Sequence, residues 1–313
     1  MVTDAAALRM DRRAFLTAAS VMLAAGLPLQ AGASAAPDPA GPRLAAIDWA
    51  MLETAIAIGH MPVAACELIR FRADSIQPEV APDVTDLGLR GAPNFELLQL
   101  TRPDLILTSP YYTRYQDRLE ALAPVLSLPF YVPGEAPLPK ALAALDLLAD
   151  AVGDRAAGPR AQDATDAQLA QLAAALAPHA QRPVCLVNIG DARHLRAFGF
   201  DSLFGSTLER LGLQNAWSGG TRFNFLAPVP IEELAALPEA RLVIIGDIPP
   251  EARRALARSV LWQALPAVAQ GRLYQLPQVN AFGGVPSALR FAQLLAEAFA
   301  AGPLDPADPA GAA

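Results

Sequence analysis

Short apolar runs alternate with longer amphipathic ones along most of this chain. The clearest apolar runs, at 104–109, 183–188 and 241–246, have the length and the Leu, Ile and Val content of buried strands. Helical patterns separate them, and strands that alternate with helices form mostly parallel sheets, since each helix returns the chain across the sheet. The sequence therefore predicts an α/β fold.

The middle of the chain breaks this rhythm. Two helical patterns, at 138–152 and 160–176, follow each other with no strand between them, and the strand–helix alternation then restarts. We therefore predict two Rossmann-like α/β lobes, at 43–154 and 182–303, joined by a long connecting helix within 155–181. In open α/β sheets, ligands bind beyond the carboxyl ends of the strands, so we expect a ligand cleft between the lobes.

Three stretches of the sequence give specific local predictions. Asn94 has the side chain of a helix N-cap and precedes a helical pattern at 95–100. The stretch between Ala65 and Val84 is rich in Pro and Asp, which predicts a loop. Residues 251–264 are assigned to one helix.

The first thirty-five residues have the composition of an export signal. Arg12 and Arg13 precede an apolar run at 18–29, and Ala33-Ser34-Ala35 has the small residues that signal peptidase accepts. The run is shorter than the roughly 20 residues that span a bilayer, and no cysteine follows the cleavage site to carry a lipid. The mature protein is therefore expected to be soluble in the periplasm. We predict a twin-arginine signal peptide over 1–35, a linker over 36–42 and a disordered tail over 304–313.

Charge and cysteine content exclude some classes of partner. The net charge is −7, and removing the three arginines and two aspartates of the signal leaves −8. No basic stripe remains to bind nucleic acid or an anionic membrane. Cys66 and Cys185 fall in different predicted lobes, which favours two buried free thiols over the disulfide that an oxidising compartment permits. The three histidines, His60, His179 and His194, lack metal-ligand spacing.

The motifs of common enzymes are missing from the sequence. It contains no G-x-x-x-x-G-K-[ST], no G-x-G-x-x-G, no G-x-S-x-G, no H-E-x-x-H and no C-x-x-C. An exported two-lobed α/β protein without these motifs is predicted to be a solute-binding protein rather than an enzyme, with no catalytic residues.

Several short segments together carry the pattern of one known family. The most diagnostic are Gly88-Leu-Arg90 and Asn215-Ala-Trp217, in this order and spacing. Others are Ile47-Asp-Trp49, Pro93-Asn-Phe-Glu96, Phe198-Gly-Phe-Asp-Ser-Leu-Phe204, Leu261-Trp-Gln-Ala-Leu265 and Gly271-Arg-Leu-Tyr-Gln-Leu-Pro277. These segments resemble the iron-siderophore-binding proteins of ABC importers, and the ferric hydroxamate branch is the most similar. The resemblance extends over roughly 43–301.

The resemblance implies a class III periplasmic binding protein, whose lobes are joined by one rigid helix, best matched here to 161–177. It further implies that Arg90, together with Tyr112 or its neighbour Tyr111, contacts the hydroxamate oxygens of a ferric siderophore. A guanidinium suits this role because it keeps its charge and presents donors in a fixed plane. Iron stays on its chelator, so neither a cofactor nor protein metal ligands are expected.

Aromatic walls of the cleft are matched by Trp49 and Trp217. A structural role is the alternative for each of these residues: Arg90 could instead pair with a carboxylate, and both tryptophans could be core residues. Trp262 is assigned to the core or to the surface of its lobe.

The second lobe departs from the family pattern. Asn280 and Phe282 stand where aromatic residues are typical, which predicts a more polar wall on that side. Arg222 and Asn224 are candidates for further polar contacts.

The resemblance also implies that Glu96 and Glu232 dock a monomeric protein onto the permease of the importer. The alternatives are a haem- or corrinoid-binding protein of the same fold, or an exported α/β hydrolase that acts on a siderophore.

Overall fold

The computed structural model describes residues 41–220 and 227–304, which fall within one unit of the chain. The predicted signal peptide at 1–35 and nearly all of the linker at 36–42 lie outside the described residues. So do Arg222, Asn224 and the tail from 305 onwards.

The first lobe is built on a five-stranded sheet in which every pair of neighbouring strands is parallel. The strand order is β3-β2-β1-β4-β5, so the chain reverses its direction of travel across the sheet beside β1. The strands are β1 (Leu44–Ala46), β2 (Ala64–Ala65), β3 (Thr85–Asp86), β4 (Leu105–Thr108) and β5 (Val125–Ser127).

The second lobe carries a five-stranded mixed sheet of order β10-β9-β6-β7-β8. Three strands are parallel, whereas β7 runs antiparallel to both of its neighbours. The strands are β6 (Val184–Ile189), β7 (His194–Ala197), β8 (Ala227–Pro230), β9 (Arg241–Ile245) and β10 (Leu273–Leu276).

Helices cover the sheets and connect the lobes. The helices of the first lobe are α1 (Trp49–Ala57), α2 (Leu68–Asp74), α3 (Phe95–Thr101), α4 (Gln116–Glu120) and α5 (Pro137–Ala151). The long α6 (Ala157–Leu176) follows, and a 3-10 turn at Ala177–His179 ends it. The remaining helices are α7 (Leu203–Arg210), α8 (Pro250–Leu256), α9 (Val260–Ala264), α10 (Pro266–Ala269) and α11 (Val285–Ala301).

The last helix joins the hydrophobic cores of the two lobes. Its residues Phe291, Leu295 and Phe299 recur at helical spacing and are buried in the second-lobe core. Its first residue, Val285, packs instead into the first-lobe core with residues of α1 and α5. The lobes are therefore connected in sequence through α6 and are packed together through α11.

The alternation of strands and helices in both lobes confirms the predicted α/β fold. The N-cap prediction is confirmed, because Asn94 Oδ1 accepts a hydrogen bond from the backbone N–H of Leu97 at 3.0 Å. The predicted loop before Val84 is wrong in part, since α2 lies there and buries Leu68 and Phe71. These two apolar side chains give the segment a core contact that its Pro and Asp content does not indicate.

The predicted helix over 251–264 is also wrong as a single element. The chain forms α8 and α9, and Ser259 caps the second of them by accepting from the N–H of Trp262 at 3.2 Å. The break brings Trp262 into the second-lobe core, one of the two positions foreseen for it. Among the described helices, none combines the length and apolar character needed to cross a membrane.

Candidate functional site

A cleft lies between the two sheets, at the carboxyl ends of their strands. Its cavity has a volume of about 180 Å³. This is below the roughly 300–1,000 Å³ typical of small-molecule pockets, so a bulky ligand would have to widen it or project from it. The first lobe lines it with Trp49, Arg70, Asp74 and Arg90. The second lobe lines it with residues near the carboxyl ends of β6 and β9, with the segment 278–282 after β10, and with residues on and after β7 and in α7.

Arg90 is held in a fixed position on the first-lobe side. Its Nε donates to Glu67 Oε2 at 3.1 Å, and its backbone N–H donates to Glu67 Oε1 at the same distance. The guanidinium lies over the indole of Trp49, with its central carbon 3.9 Å from the ring centroid. Both terminal amino groups of Arg90 are left without a hydrogen-bond partner among the described residues.

For Arg90 the predicted alternative was an ion pair with a carboxylate, and for Trp49 it was a position in the core. The structure shows both features in part. Arg90 does pair with a carboxylate, yet the ion pair uses only Nε and the side chain still lines the cleft. Trp49 is 4% exposed and belongs to the first-lobe core, and its Nε1 donates to the backbone oxygen of Cys66 at 3.0 Å. Trp49 therefore lines the cavity with the little of its surface that is exposed, and its ring supports the Arg90 guanidinium.

Asp48 and Tyr112 extend this charged network. Asp48 caps α1, and its Oδ2 accepts from the hydroxyl of Ser109 at 2.9 Å. Burial raises the pKa of Asp48 above its ordinary value, against hydrogen bonds and the nearby charge of Arg90 that favour the ionised form. Burial likewise raises the pKa of Tyr112 to about 12, so its hydroxyl remains a donor at neutral pH.

Tyr112 and Tyr111 do not line the 180 Å³ cavity. The Tyr112 ring is half-buried, and Arg90, Asp48 and Glu67 are close enough for their charges to affect its pKa. Tyr111 packs edge-to-face on Tyr112 and is 75% exposed. The structure therefore brings Tyr112, more than Tyr111, to the charged network at the edge of the cleft.

Trp217 is not among the residues that line the cavity. It packs against the core cluster of the second lobe that contains Trp262, and its backbone N–H donates to Asn215 Oδ1 at 3.0 Å. Its Nε1 is buried without a partner among the described residues. Trp217 is thus a partly buried residue at the edge of the second-lobe core, away from the 180 Å³ cavity that the resemblance implied it would line.

The second-lobe wall contains polar residues that were not predicted from the sequence. Arg196 on β7 is exposed, lines the cavity and has no ion pair among the described residues. Asn188 and Gln278 line the same wall. The only signal for Arg196 was the alternation of exposed and buried positions in His194-Leu-Arg-Ala197, a stretch too short to be recognised as a strand.

Asn280 and Phe282 both line the cavity, on the segment between β10 and α11. Asn280 is 5% exposed; its Oδ1 accepts from the N–H of Phe282 at 3.0 Å, and its Nδ2 donates to Glu53 of α1 at 2.9 Å. Phe282 packs edge-to-face on Tyr131, with ring centroids 5.4 Å apart.

A larger groove of about 730 Å³ lies away from this cleft, between the end of α1, α6 and α11. Its lining includes alanines, glutamines and Arg290 but no aromatic side chain among the described residues. The cleft is the better candidate site because it combines aromatic rings with cations at the carboxyl ends of both sheets.

The remaining candidates lie outside the cleft. Glu96 in the first turn of α3 and Glu232 in a 3-10 turn after β8 are both exposed.

Cys66 and Cys185 are buried free thiols, one in the core of each lobe, and burial raises the pKa of both. His60 contacts Asp154 at 3.3 Å, and His194 contacts Asp191 at the same distance. No cluster of three potential metal-ligating side chains occurs in the described parts of the chain.

Two α/β lobes, joined through one long helix around a cleft, define the class III fold of periplasmic binding proteins. The chain belongs to the periplasmic binding protein family, which matches residues 44–279. It is 31% identical over 260 residues to the iron(3+)-hydroxamate-binding protein FhuD of Escherichia coli K12, which covers 81% of this chain and 85% of that protein.

Solved structures agree with this assignment. The siderophore-binding protein FhuD from Vibrio cholerae with bound Fe³⁺–Desferal superposes with a TM-score of 0.77 at 26% identity, covering 84% of this chain and 99% of that one. SirA of Staphylococcus aureus gives a TM-score of 0.60 at 19% identity, covering 82% and 98% of the two chains, which supports the fold alone.

Proposed function

We propose that this protein captures a ferric siderophore of the hydroxamate type in its inter-lobe cleft and delivers it to an ABC importer. Two relatives whose names specify iron hydroxamate or a ferric siderophore as ligand support this proposal. The proposed location is the periplasm, reached by the twin-arginine route that the first thirty-five residues indicate.

The observation that carries the proposal is the state of Arg90. Glu67 and the Trp49 ring hold the charged guanidinium in a fixed position. Its two terminal amino groups have no hydrogen-bond partner among the described residues and can still donate to a ligand in the cleft. The hydroxamate oxygens around a ferric ion keep partial negative charge and accept such donors. Because the guanidinium is already oriented, little side-chain entropy is lost when the ligand binds.

The second lobe supplies a complementary wall. Arg196 offers a second cation from the opposite side, and Asn188 and Gln278 offer amide groups. Phe282 supplies apolar surface for the carbon chain of the chelator. The Tyr112 hydroxyl is proposed to add one directional hydrogen bond at the edge of the cleft. Iron is proposed to arrive and leave bound to its chelator, with no chemical step on the protein.

Delivery is proposed to use one exposed carboxylate on each lobe, Glu96 and Glu232. A carboxylate at Glu96 also favours the amino end of α3 through the helix dipole, which is the structural alternative for that residue. Arginines on the membrane permease are the proposed partners of both carboxylates.

Fluorescence titration tests the ligand class. Purified mature protein is titrated with ferric desferrioxamine, a ferric catecholate, haem and cobalamin, and the tryptophan emission is followed. We expect saturable quenching by the ferric hydroxamate and recovery of the unaltered chelate by mass spectrometry. Saturable binding of haem or cobalamin alone, or a cleaved chelator, would instead support one of the alternatives and overturn the proposal.

A further inference from the structure

Glu53 is a fully buried carboxylate that belongs to one lobe and is hydrogen-bonded by the other. It lies on α1, one turn after Trp49, and its side chain accepts four hydrogen bonds from a single segment more than 220 residues further along the chain. Oε1 accepts from Asn280 Nδ2 at 2.9 Å and from Ser287 Oγ at 2.7 Å. Oε2 accepts from the N–H groups of Gly284 at 2.7 Å and Ser287 at 3.1 Å.

The same segment is pressed against the first lobe on its other side. The hydroxyl of Tyr131 donates to the carbonyl oxygen of Gly283 at 2.6 Å. A Cβ atom at Gly283 would lie 2.5 Å from both carboxylate oxygens of Glu53, and one at Gly284 would lie 3.1 Å from the Ala50 carbonyl oxygen. Only glycine permits this close approach, so the backbone at 283–284 has little freedom to shift.

The segment that Glu53 binds also forms part of the wall of the ligand cleft. Asn280 and Phe282 stand on the segment that Glu53 holds, and both line the cavity. Asn280 uses its amide group to donate to Glu53 and its oxygen to accept from the N–H of Phe282. The position of the Phe282 ring therefore depends on a chain of hydrogen bonds that begins at Glu53.

We propose that Glu53 is a positioning residue for ligand binding, which fixes the segment 280–287 so that Asn280 and Phe282 form a preformed second-lobe wall. This inference rests on the proposed function. Glu53 itself does not line the cleft, and its effect on the ligand passes through Asn280 and Phe282.

Four acceptor contacts match the requirements of an ionised carboxylate better than those of an amide. A glutamine at position 53 would turn one oxygen into an NH₂ group that faces donors, which leaves buried polar groups unpaired. Tyr131, on the segment before α5, is close enough for the charge of Glu53 to act on it, and burial together with the charges of Glu53 and Asp48 raises the pKa of Tyr131 well above 10. It remains a neutral donor that stabilises the same segment.

The test compares Glu53→Gln with Asn280→Ala, using ferric desferrioxamine as the probe. We expect each variant to bind roughly tenfold more weakly, and the double variant Glu53→Gln/Asn280→Ala to bind no more weakly than either alone, because both act through one contact. Glu53→Gln/Asn280→Asp places the charge on the partner and should recover affinity to within about threefold of wild type. The matched control is Glu297→Gln on the exposed face of α11, which should bind as wild type does.

A second measurement needs no ligand. Hydrogen exchange of the Gly284 and Ser287 amides should accelerate in Glu53→Gln and return towards the wild-type rate in the charge-swapped variant. Should Glu53→Gln fail to fold, Ser287→Ala is the second variant: it removes one of the four hydrogen bonds to Glu53, the one from the Ser287 hydroxyl to Oε1, and keeps the backbone N–H of residue 287. It is expected to give a several-fold affinity loss with faster exchange at Gly284.

The outcomes separate this inference from the proposed function. If wild type fails to bind the ferric hydroxamate, the proposed function fails, while the exchange measurement still decides whether Glu53 orders the segment. Wild-type affinity in a folded Glu53→Gln protein, additive losses in the double variant, or unchanged exchange at 284 and 287 would each overturn the role of Glu53.

Discussion

The two lobes present opposite kinds of surface to the cleft. On the first lobe every charged group near the cleft is engaged: Arg90 with Glu67 and Trp49, Asp48 with Ser109, and Arg70 with Asp74. On the second lobe Arg196 lines the cleft without an ion pair among the described residues. The first lobe is thus preorganised, whereas the second offers a cation whose position a ligand can still select.

The sheets explain part of this difference. All strands of the first sheet are parallel, so the residues after β1, β2, β3 and β4 converge at one edge, where Asp48, Glu67, Arg90 and Ser109 meet. In the second sheet β7 runs antiparallel, and it brings Arg196 to the cleft from the body of a strand. Residues in the loops after the first-lobe strands lie close together and hold each other in place by hydrogen bonds and ion pairs. An exposed side chain on a strand has fewer side chains near it with which to form such contacts.

The largest expected effect concerns the surfaces outside the cleft. Reversing the charge at both Glu96 and Glu232 to lysine should abolish siderophore-dependent iron uptake in cells and leave ferric-hydroxamate affinity unchanged, because both side chains are exposed and away from the cavity. Single reversals compare the contributions of the two lobes. Glu209→Lys, another exposed carboxylate, is the control. Normal uptake in the double variant would remove these residues from the docking proposal.

The next largest effect is on stability and involves the contact between the lobes. Burial raises the pKa of Glu53 from 4.5 to about 7, although four hydrogen bonds favour its ionised form. The folded state therefore binds more protons than the unfolded state between these two values. The contribution of Glu53 to the free energy of unfolding should be greatest below about pH 4.5 and fall by roughly 3 kcal/mol as pH rises through 7.

Chemical denaturation at a series of pH values measures this dependence. Glu53→Gln cannot titrate, so its stability should decline less between pH 4.5 and 7 than that of wild type, while Glu297→Gln should follow wild type. Parallel stability curves for wild type and Glu53→Gln would show that the carboxyl keeps an ordinary pKa.

Replacing Arg90 tests the preorganised lobe. Arg90→Ala should weaken ferric-hydroxamate binding by about 1.5–3 kcal/mol, because a charge-assisted contact is lost and Glu67 is left half-buried without its partner. Arg90→Lys keeps the charge but not the planar group, so we expect an intermediate loss. Arg118→Ala removes a comparable guanidinium over Phe95, 3.7 Å from its ring centroid and outside the cleft, and should have no effect in the same titration.

The smallest effect is expected on the second lobe. Arg196→Ala should cost about 0.5–1 kcal/mol of affinity, since an exposed cation is screened by water and must lose side-chain freedom on binding. Arg193→Ala, exposed and three residues earlier, serves as the control. A loss at Arg196 larger than that at Arg90 would reverse the comparison between the lobes.

Much of the fold was accessible from the sequence because buried strands and capped helices have local signatures. The apolar runs that became β4, β6 and β9, and the Asn94 cap, are patterns within a few residues of each other. The helix α2 was missed because its support is tertiary: Leu68 and Phe71 are its only two buried residues, and their packing against the core stabilises a short helix that is otherwise largely exposed.

The site could be predicted only at the level of single residues. The resemblance picked out Arg90 and Trp49, and the structure places them against each other. The resemblance did not reveal Glu67. This residue stands at the start of α2 with a left-handed backbone, and its side chain contacts Arg90, which lies 23 residues further along the chain. Glu53 was equally invisible, since an acidic residue within a helix usually faces water, and its partners are 227 to 234 residues away.

The packing of α11 has a consequence for the order of assembly during synthesis. Val285 completes the hydrophobic core of the half that the ribosome makes first, and the rest of the same helix completes the half that it makes second. Neither half can exclude water fully until the chain has been translated to about residue 301. Nascent protein therefore stays open to chaperones until α11 has been synthesised, and a truncation shortly before position 285 should expose the interiors of both halves at once.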